Sequence, residues 1–169
     1  NLQAIMDKVA AGVLPLEIAV VVSDKSDAFA LERSKRAGIP SFVVERGQCA
    51  GKREFEEKLD GILRAHGVEL VVLAGFMRIL GPDFIARWPQ RVINIHPALL
   101  PSFPGLDAQG QALRYGAKIT GCTVHFVDEG MDTGPIILQK AVPVEASDDE
   151  ETLSARILRE EHKALPEAL

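Results

Sequence analysis

Two polar side chains one residue apart, Asn94 and His96, close a hydrophobic run and open the segment Asn-Ile-His-Pro-Ala-Leu-Leu-Pro-Ser-Phe-Pro-Gly-Leu at residues 94–106. In a strand, residues i and i+2 project the same way, so an amide donor and a titratable imidazole converge on one reacting atom. That pair suits addition to a carbonyl, with the amide N–H and a protonated imidazole donating to the oxygen that becomes negative. A carboxylate beside the imidazole would favour the protonated ring and fix its orientation, and Asp132 is the candidate. No serine or cysteine sits in a nucleophile elbow. Direct attack by a substrate amine is therefore simpler than a covalent acyl-enzyme, with His96 as electrostatic catalyst and proton shuttle. The same two residues also fit a turn-forming amide and a hydrogen-bonded histidine at a strand end.

The elements that must position this pair alternate between strand and helix. Short runs rich in Val, Ile and Leu at residues 16–23, 41–44, 70–74 and 92–95 predict strands, separated by helix-period segments at 26–37 and 52–66. This is the signature of a mostly parallel sheet covered on both faces. Ligands bind such sheets outside the carboxyl ends of the strands, so the chain after Ala74 and after Ile95 defines a crevice. Pro97, Pro101 and Pro104 predict a stiff, irregular floor for it. A helix is expected at 108–115 and two further strands at 120–127 and 135–144, around the acidic, glycine-rich stretch 128–134. Ser147 and Glu150 match a capping box that opens a last helix, with Leu153, Ile157, Ala164 and Leu165 inward.

Composition narrows the partners. At 169 residues, 47% hydrophobic and 25% charged, the chain fits one globular domain. A net charge of -5 argues against nucleic acid and anionic membranes and for small molecules. The strongest apolar stretch, 16–22, falls far short of the ~20 residues that span a bilayer. Cys49 and Cys122 lie far apart without metal-ligand spacing, which fits two thiols in a reducing cytoplasm. His66 is expected to end a helix, His125 to alternate within a strand and His162 to ride the last helix, all three in structural or surface roles. The acidic run 148–151 fits a helix N-terminus better than a metal site. Asn1 is a credible helix N-cap.

Asn-Leu-Gln-Ala-Ile at 1–5, the stretch 25–29, Leu-Ala-Gly-Phe-Met-Arg-Ile-Leu at 73–80, residues 94–106 and residues 132–138 together resemble the phosphoribosylglycinamide formyltransferases, folate-dependent enzymes of purine synthesis. The likeness runs nearly end to end. It implies an α/β, Rossmann-like formyltransferase fold and transfer of formyl from 10-formyltetrahydrofolate to the amine of 5'-phosphoribosylglycinamide. It also implies Asn94, His96 and Asp132 as the catalytic trio, with His96 as proton donor. Folate contacts are implied for Lys52, Met77, Arg78, Ile79, Leu80 and Asn94, and for Asp128, Glu129, Gly130, Met131 and Asp132. Apolar Met77, Ile79 and Leu80 suit a pterin, and Arg78 or Lys52 a carboxylate. Asn1 falls at the end of the family's phosphate loop. Leu158, Arg159, Glu160 and Glu161 fall where the ribosyl glycinamide is held, Glu161 being the strongest candidate because a carboxylate accepts from ribose hydroxyls or the amine.

Many relatives carry His-Thr-His where this chain has Asp107-Ala108-Gln109. Metal is not needed, because the acyl group arrives activated on the folate. The family's first strand and phosphate loop are expected before Asn1 and further residues after Leu169, so 1–169 is taken as one formyltransferase domain incomplete at both ends. Its partners are small molecules, its state monomer or homodimer. Formyltetrahydrofolate deformylase shares the Asn-x-His and aspartate logic, but Pro97 stands where that hydrolase typically has a second histidine. A methionyl-tRNA formyltransferase would typically add a nucleic-acid-binding domain. A non-catalytic folate-binding protein is the alternative from another class.

Overall fold

Helix-period patterning and sheet alternation set the architecture. The computed structural model describes residues 1–169, with elements α1 (Leu2–Ala10), β1 (Val21–Ser23), α2 (Phe29–Arg36), β2 (Ser41–Val43), α3 (Lys52–Ala65), β3 (Val71–Leu73), α4 (Pro82–Arg87), β4 (Val92–His96), α5 (Ala108–Tyr115), β5 (Ile119–Phe126), β6 (Ile136–Pro143) and α6 (Glu150–Ala168). β1 and β2 pair in parallel as a two-stranded sheet. A four-stranded sheet has the order β3-β4-β5-β6, parallel between β3 and β4 and antiparallel across β4–β5 and β5–β6. The expected α/β class with helices on both faces is present, and the parallel pairings lie in its N-terminal part. β5 and β6 run antiparallel because only a short loop joins them, and parallel neighbours need a crossover connection.

β4 separates two apolar cores. On one side Ile93 and Ile95 join Ile5 of α1, Cys122 and Val124 of β5, Val142 of β6, and Leu153, Ile157, Ala164 and Leu165 of α6. On the other, Val92 joins Phe55, Leu59 and Leu63 of α3, Val71 of β3, and Phe84 and Trp88 of α4. Alternation along β4 therefore places Asn94 and His96 on the Val92 face, where the second core gives way to the crevice.

The structure differs from the sequence reading in several places. β1 covers only the end of the apolar run 16–23, because a ladder exists only where β2 supplies a partner at Ser41–Val43. α4 was not anticipated: at six residues it is too short to show periodicity, although Pro82 at its start is a recognised signal. The capping box of α6 uses Asp149 and Thr152, not Ser147 and Glu150. Asp149 Oδ1 accepts from Thr152 N at 2.8 Å and Thr152 Oγ1 accepts from Asp149 N at 3.0 Å. Asn1 precedes α1 but does not cap it with its side chain, because its amide is drawn to α6 instead.

Candidate active site

The end of β4, the loop after β3 and the acidic loop between β5 and β6 enclose a cavity of about 330 Å³. Asn94 and His96 form part of its floor, with Asp132 across from them. His96 is 4% exposed. Its Nε2 lies 2.8 Å from the Phe103 carbonyl oxygen and its Nδ1 3.4 Å from Asp132 Oδ2. Both ring nitrogens thus face acceptor oxygens. Phe103 reaches this position because the proline-punctuated segment 97–104 folds back as an irregular loop.

Asp132 is held from several sides. Its backbone is left-handed, at φ 54°, a conformation aspartate tolerates better than most residues. Oδ2 accepts from Gly105 N at 2.8 Å. Gly105 itself has φ 78°, a left-handed conformation that favours glycine. Asp128 organises the same loop from within, its Oδ1 accepting from Gly130 N at 3.0 Å and Thr133 Oγ1 at 2.7 Å.

His125 is the residue the sequence reading missed. It was expected in a structural role, but it is 2% exposed and lines the crevice. The antiparallel register sets it opposite Asn94. Its Nε2 stands 3.4 Å from Asn94 Nδ2 and 3.6 Å from Asp132 Oδ1, while Nδ1 donates to the Phe126 carbonyl at 2.9 Å. In the neutral ring that donation leaves Nε2 as an acceptor for the Asn94 amide. Only knowledge of the β4–β5 register could have revealed this.

The remaining predicted positions divide. Met77, Arg78, Ile79, Leu80, Asp128, Gly130 and Met131 line the cavity, as do Asp107, Ala108 and Gln109. Met77, Ile79 and Met131 are half or more exposed, and with Leu106, which sequence reasoning did not single out, they offer apolar surface around a polar centre. Lys52 and Glu129 stand apart from the lining. The Lys52 ammonium, at the start of α3, lies 3.9 Å from Glu56 Oε1, and Glu129 is exposed at the turn of its loop. The Arg78 guanidinium is engaged by Asp24 Oδ2 at 3.0 Å.

The four consecutive positions on α6 do not act as a block. Leu158 and Arg159 are exposed and Glu160 pairs with Lys163 at 2.6 Å, because a helix turns about 100° per residue. Only Glu161 is buried, and its Oε2 accepts from Asn1 Nδ2 at 2.8 Å. Burial pushes the Glu161 carboxyl up, against the opposing effect of the Asn1 hydrogen bond and of His96. Cys122 is fully buried, which pushes its thiol up to about 12.

Comparison with known proteins adds to this geometry. The family model described as Formyl transferase matches residues 1–169. The chain is 45% identical over its whole length to the phosphoribosylglycinamide formyltransferase of Bacillus subtilis, covering 87% of that protein. It is 47% identical to the trifunctional purine biosynthetic protein adenosine-3 of Drosophila melanogaster, of which it spans only 13%. The crystal structure of glycinamide ribonucleotide transformylase 1 from Symbiobacterium toebii superposes with a TM-score of 0.96 at 50% identity, over 99% of this chain and 79% of that one. Matched along its entire length, this chain belongs to the formyl transferase family.

Proposed function

We propose that the protein transfers a formyl group from 10-formyltetrahydrofolate to the amine of 5'-phosphoribosylglycinamide. One observation carries this reading: Asn94 and His96 share one face at the end of β4, and Asp132 stands 3.4 Å from His96 at the edge of an apolar-mouthed crevice. A mouth of Met77, Ile79, Leu106 and Met131 suits a flat heteroaromatic ring, and a cavity of about 330 Å³ lies in the size range of small-molecule sites. When bound, the donor supplies a formyl carbon already activated on nitrogen. Asn94 then presents its amide N–H to the oxygen that becomes negative as the substrate amine attacks. His96, oriented by the Phe103 carbonyl and Asp132, adds positive charge at the same oxygen; as the tetrahedral adduct collapses, the proton lost by the amine passes to the folate nitrogen, whose bond to the formyl carbon breaks to release tetrahydrofolate. His125 limits the swing of the Asn94 amide. Buried Glu161, with Asn1, is assigned to the acceptor substrate.

We take residues 1–169 as one formyltransferase domain acting in the cytoplasm on small molecules, as monomer or homodimer, without a nucleic-acid or membrane partner. The test is donor consumption with and without the glycinamide amine, in wild type and Asp132→Asn. Amine-dependent consumption that falls at least a hundred-fold in the variant is the expected result, in line with the roughly 10²–10⁴-fold contributed by general acid–base groups. Amine-independent consumption would make the protein a deformylase. Folate binding without turnover would make it a binding protein.

A further inference from the structure

The crevice wall formed by residues 75–80 has little backbone support of its own. β3 ends at Leu73 and α4 begins at Pro82. Outside helices and strands, no residue from 74 to 80 takes part in a backbone–backbone hydrogen bond. Side chains hold the segment instead. Leu80 is buried in the core beside α3, and Arg78 is tied to Asp24. At the far end the Gly81 N–H donates to Glu56 Oε1 at 2.7 Å, in the interior.

Glu56 is an unusual residue for that place. It sits on α3, 7% exposed, and its nearest cation is the half-exposed Lys52 ammonium at 3.9 Å. Buried carboxylates are retained only where paired or hydrogen-bonded, and this one is directed at a single backbone N–H. The carboxylate also packs close against Gly81. A Cβ there would meet Glu56 Oε2 at 2.8 Å, although the backbone at φ -78° is open to any residue. Glycine at 81 lets the carboxylate come this close, and a methyl group there would press on the same buried carboxylate that accepts from Gly81 N.

We infer that Glu56 is a positioning residue for the formyl donor: with Lys52 as counter-charge, it anchors Gly81 and thereby sets the placement of the 75–80 wall against which the donor's ring rests. This rests on the formyl-transfer reading above. It gives Lys52, which stands apart from the cavity, an indirect part in donor binding.

The test compares wild type, Glu56→Ala, Glu56→Gln, Gly81→Ala and the Glu56→Ala/Gly81→Ala double variant. Steady-state kcat and donor KM are read together with the rate of trypsin cleavage after Arg78. Glu56→Ala and Gly81→Ala should each raise donor KM at least five-fold with kcat within two-fold of wild type. Glu56→Gln keeps an oxygen acceptor for the Gly81 N–H and should return KM to within two-fold of wild type. The double variant should be no worse than Glu56→Ala alone, since both remove one contact. Cleavage after Arg78 should quicken in Glu56→Ala and not in Glu56→Gln. Unchanged donor KM and cleavage in Glu56→Ala, a matching loss of kcat, or additive effects in the double variant would overturn the proposal. Should Glu56→Ala fail to fold, Gly81→Ala tests the same contact from its other side. A wild type that consumes no donor would refute the formyl-transfer reading, and the cleavage rates would still decide whether Glu56 anchors the wall.

Discussion

His125 holds a group whose drift would spoil the site, the Asn94 amide. Removing its ring in His125→Ala frees the Asn94 amide, so kcat should fall about ten-fold, which is about 1.4 kcal/mol of barrier, with donor KM little changed; single-turnover rates check this. Glu161 gives a pH prediction. Burial raises its carboxyl in the folded protein, so the folded state holds that proton more tightly than the unfolded one. Stability from this group is therefore greatest at low pH and declines as pH rises from the unfolded carboxylate range through the raised folded value. Urea midpoints of wild type and Glu161→Gln should run close together in acid and separate above it, the variant becoming the more stable; parallel curves would refute the assignment. At this scale the Asn94–His96 pair was legible because i and i+2 are related by strand geometry alone. Nothing local brings Asp132 or His125 to that pair, since both arrive through pairing and loop closure across about 30 residues of chain.

The elements show the same division between local and distant causes. α5 occupies residues 108–115 as its pattern implied, and α3 begins at Lys52 with His66 at its end, where His66 Nδ1 reaches the Ile62 carbonyl at 2.8 Å. Helical period and stop residues are properties of a short stretch of chain, so they can be read from it. β1 could not be bounded in this way, because its limits are those of its partner. For α6, both Ser147/Glu150 and Asp149/Thr152 stood at capping distance; the helix takes the second pair, with Asp148 just before it bound by Arg156 at 2.6 Å. The Asp149 cap should matter to stability and not to chemistry. Asp149→Ala should lower the melting temperature by about 2–4 °C, as a cap loss does in a domain of this size, and leave kcat unaltered; differential scanning calorimetry alongside an activity assay checks both.

In the whole molecule, α/β alternation was legible from composition and period, and the two cores follow from it: α1, α5 and α6 cover one side, α3 and α4 the other. Surface ion pairs such as Arg53–Glu57 and Lys58–Glu54 run along α3, and each of these exposed pairs adds little to stability. β4 is the feature common to both halves, paired with β3 on one edge and β5 on the other, with a core against each face. No local opening can therefore release its backbone while leaving the rest intact. Amide hydrogens of Ile93 and Ile95 should exchange with solvent only at the rate set by global unfolding, and native-state exchange against denaturant would show it as a shared isotherm. For a protein whose reactive pair is carried on that strand, the consequence is one of durability: in partial denaturation the crevice walls loosen first, and the Asn94–His96 spacing is among the last things lost.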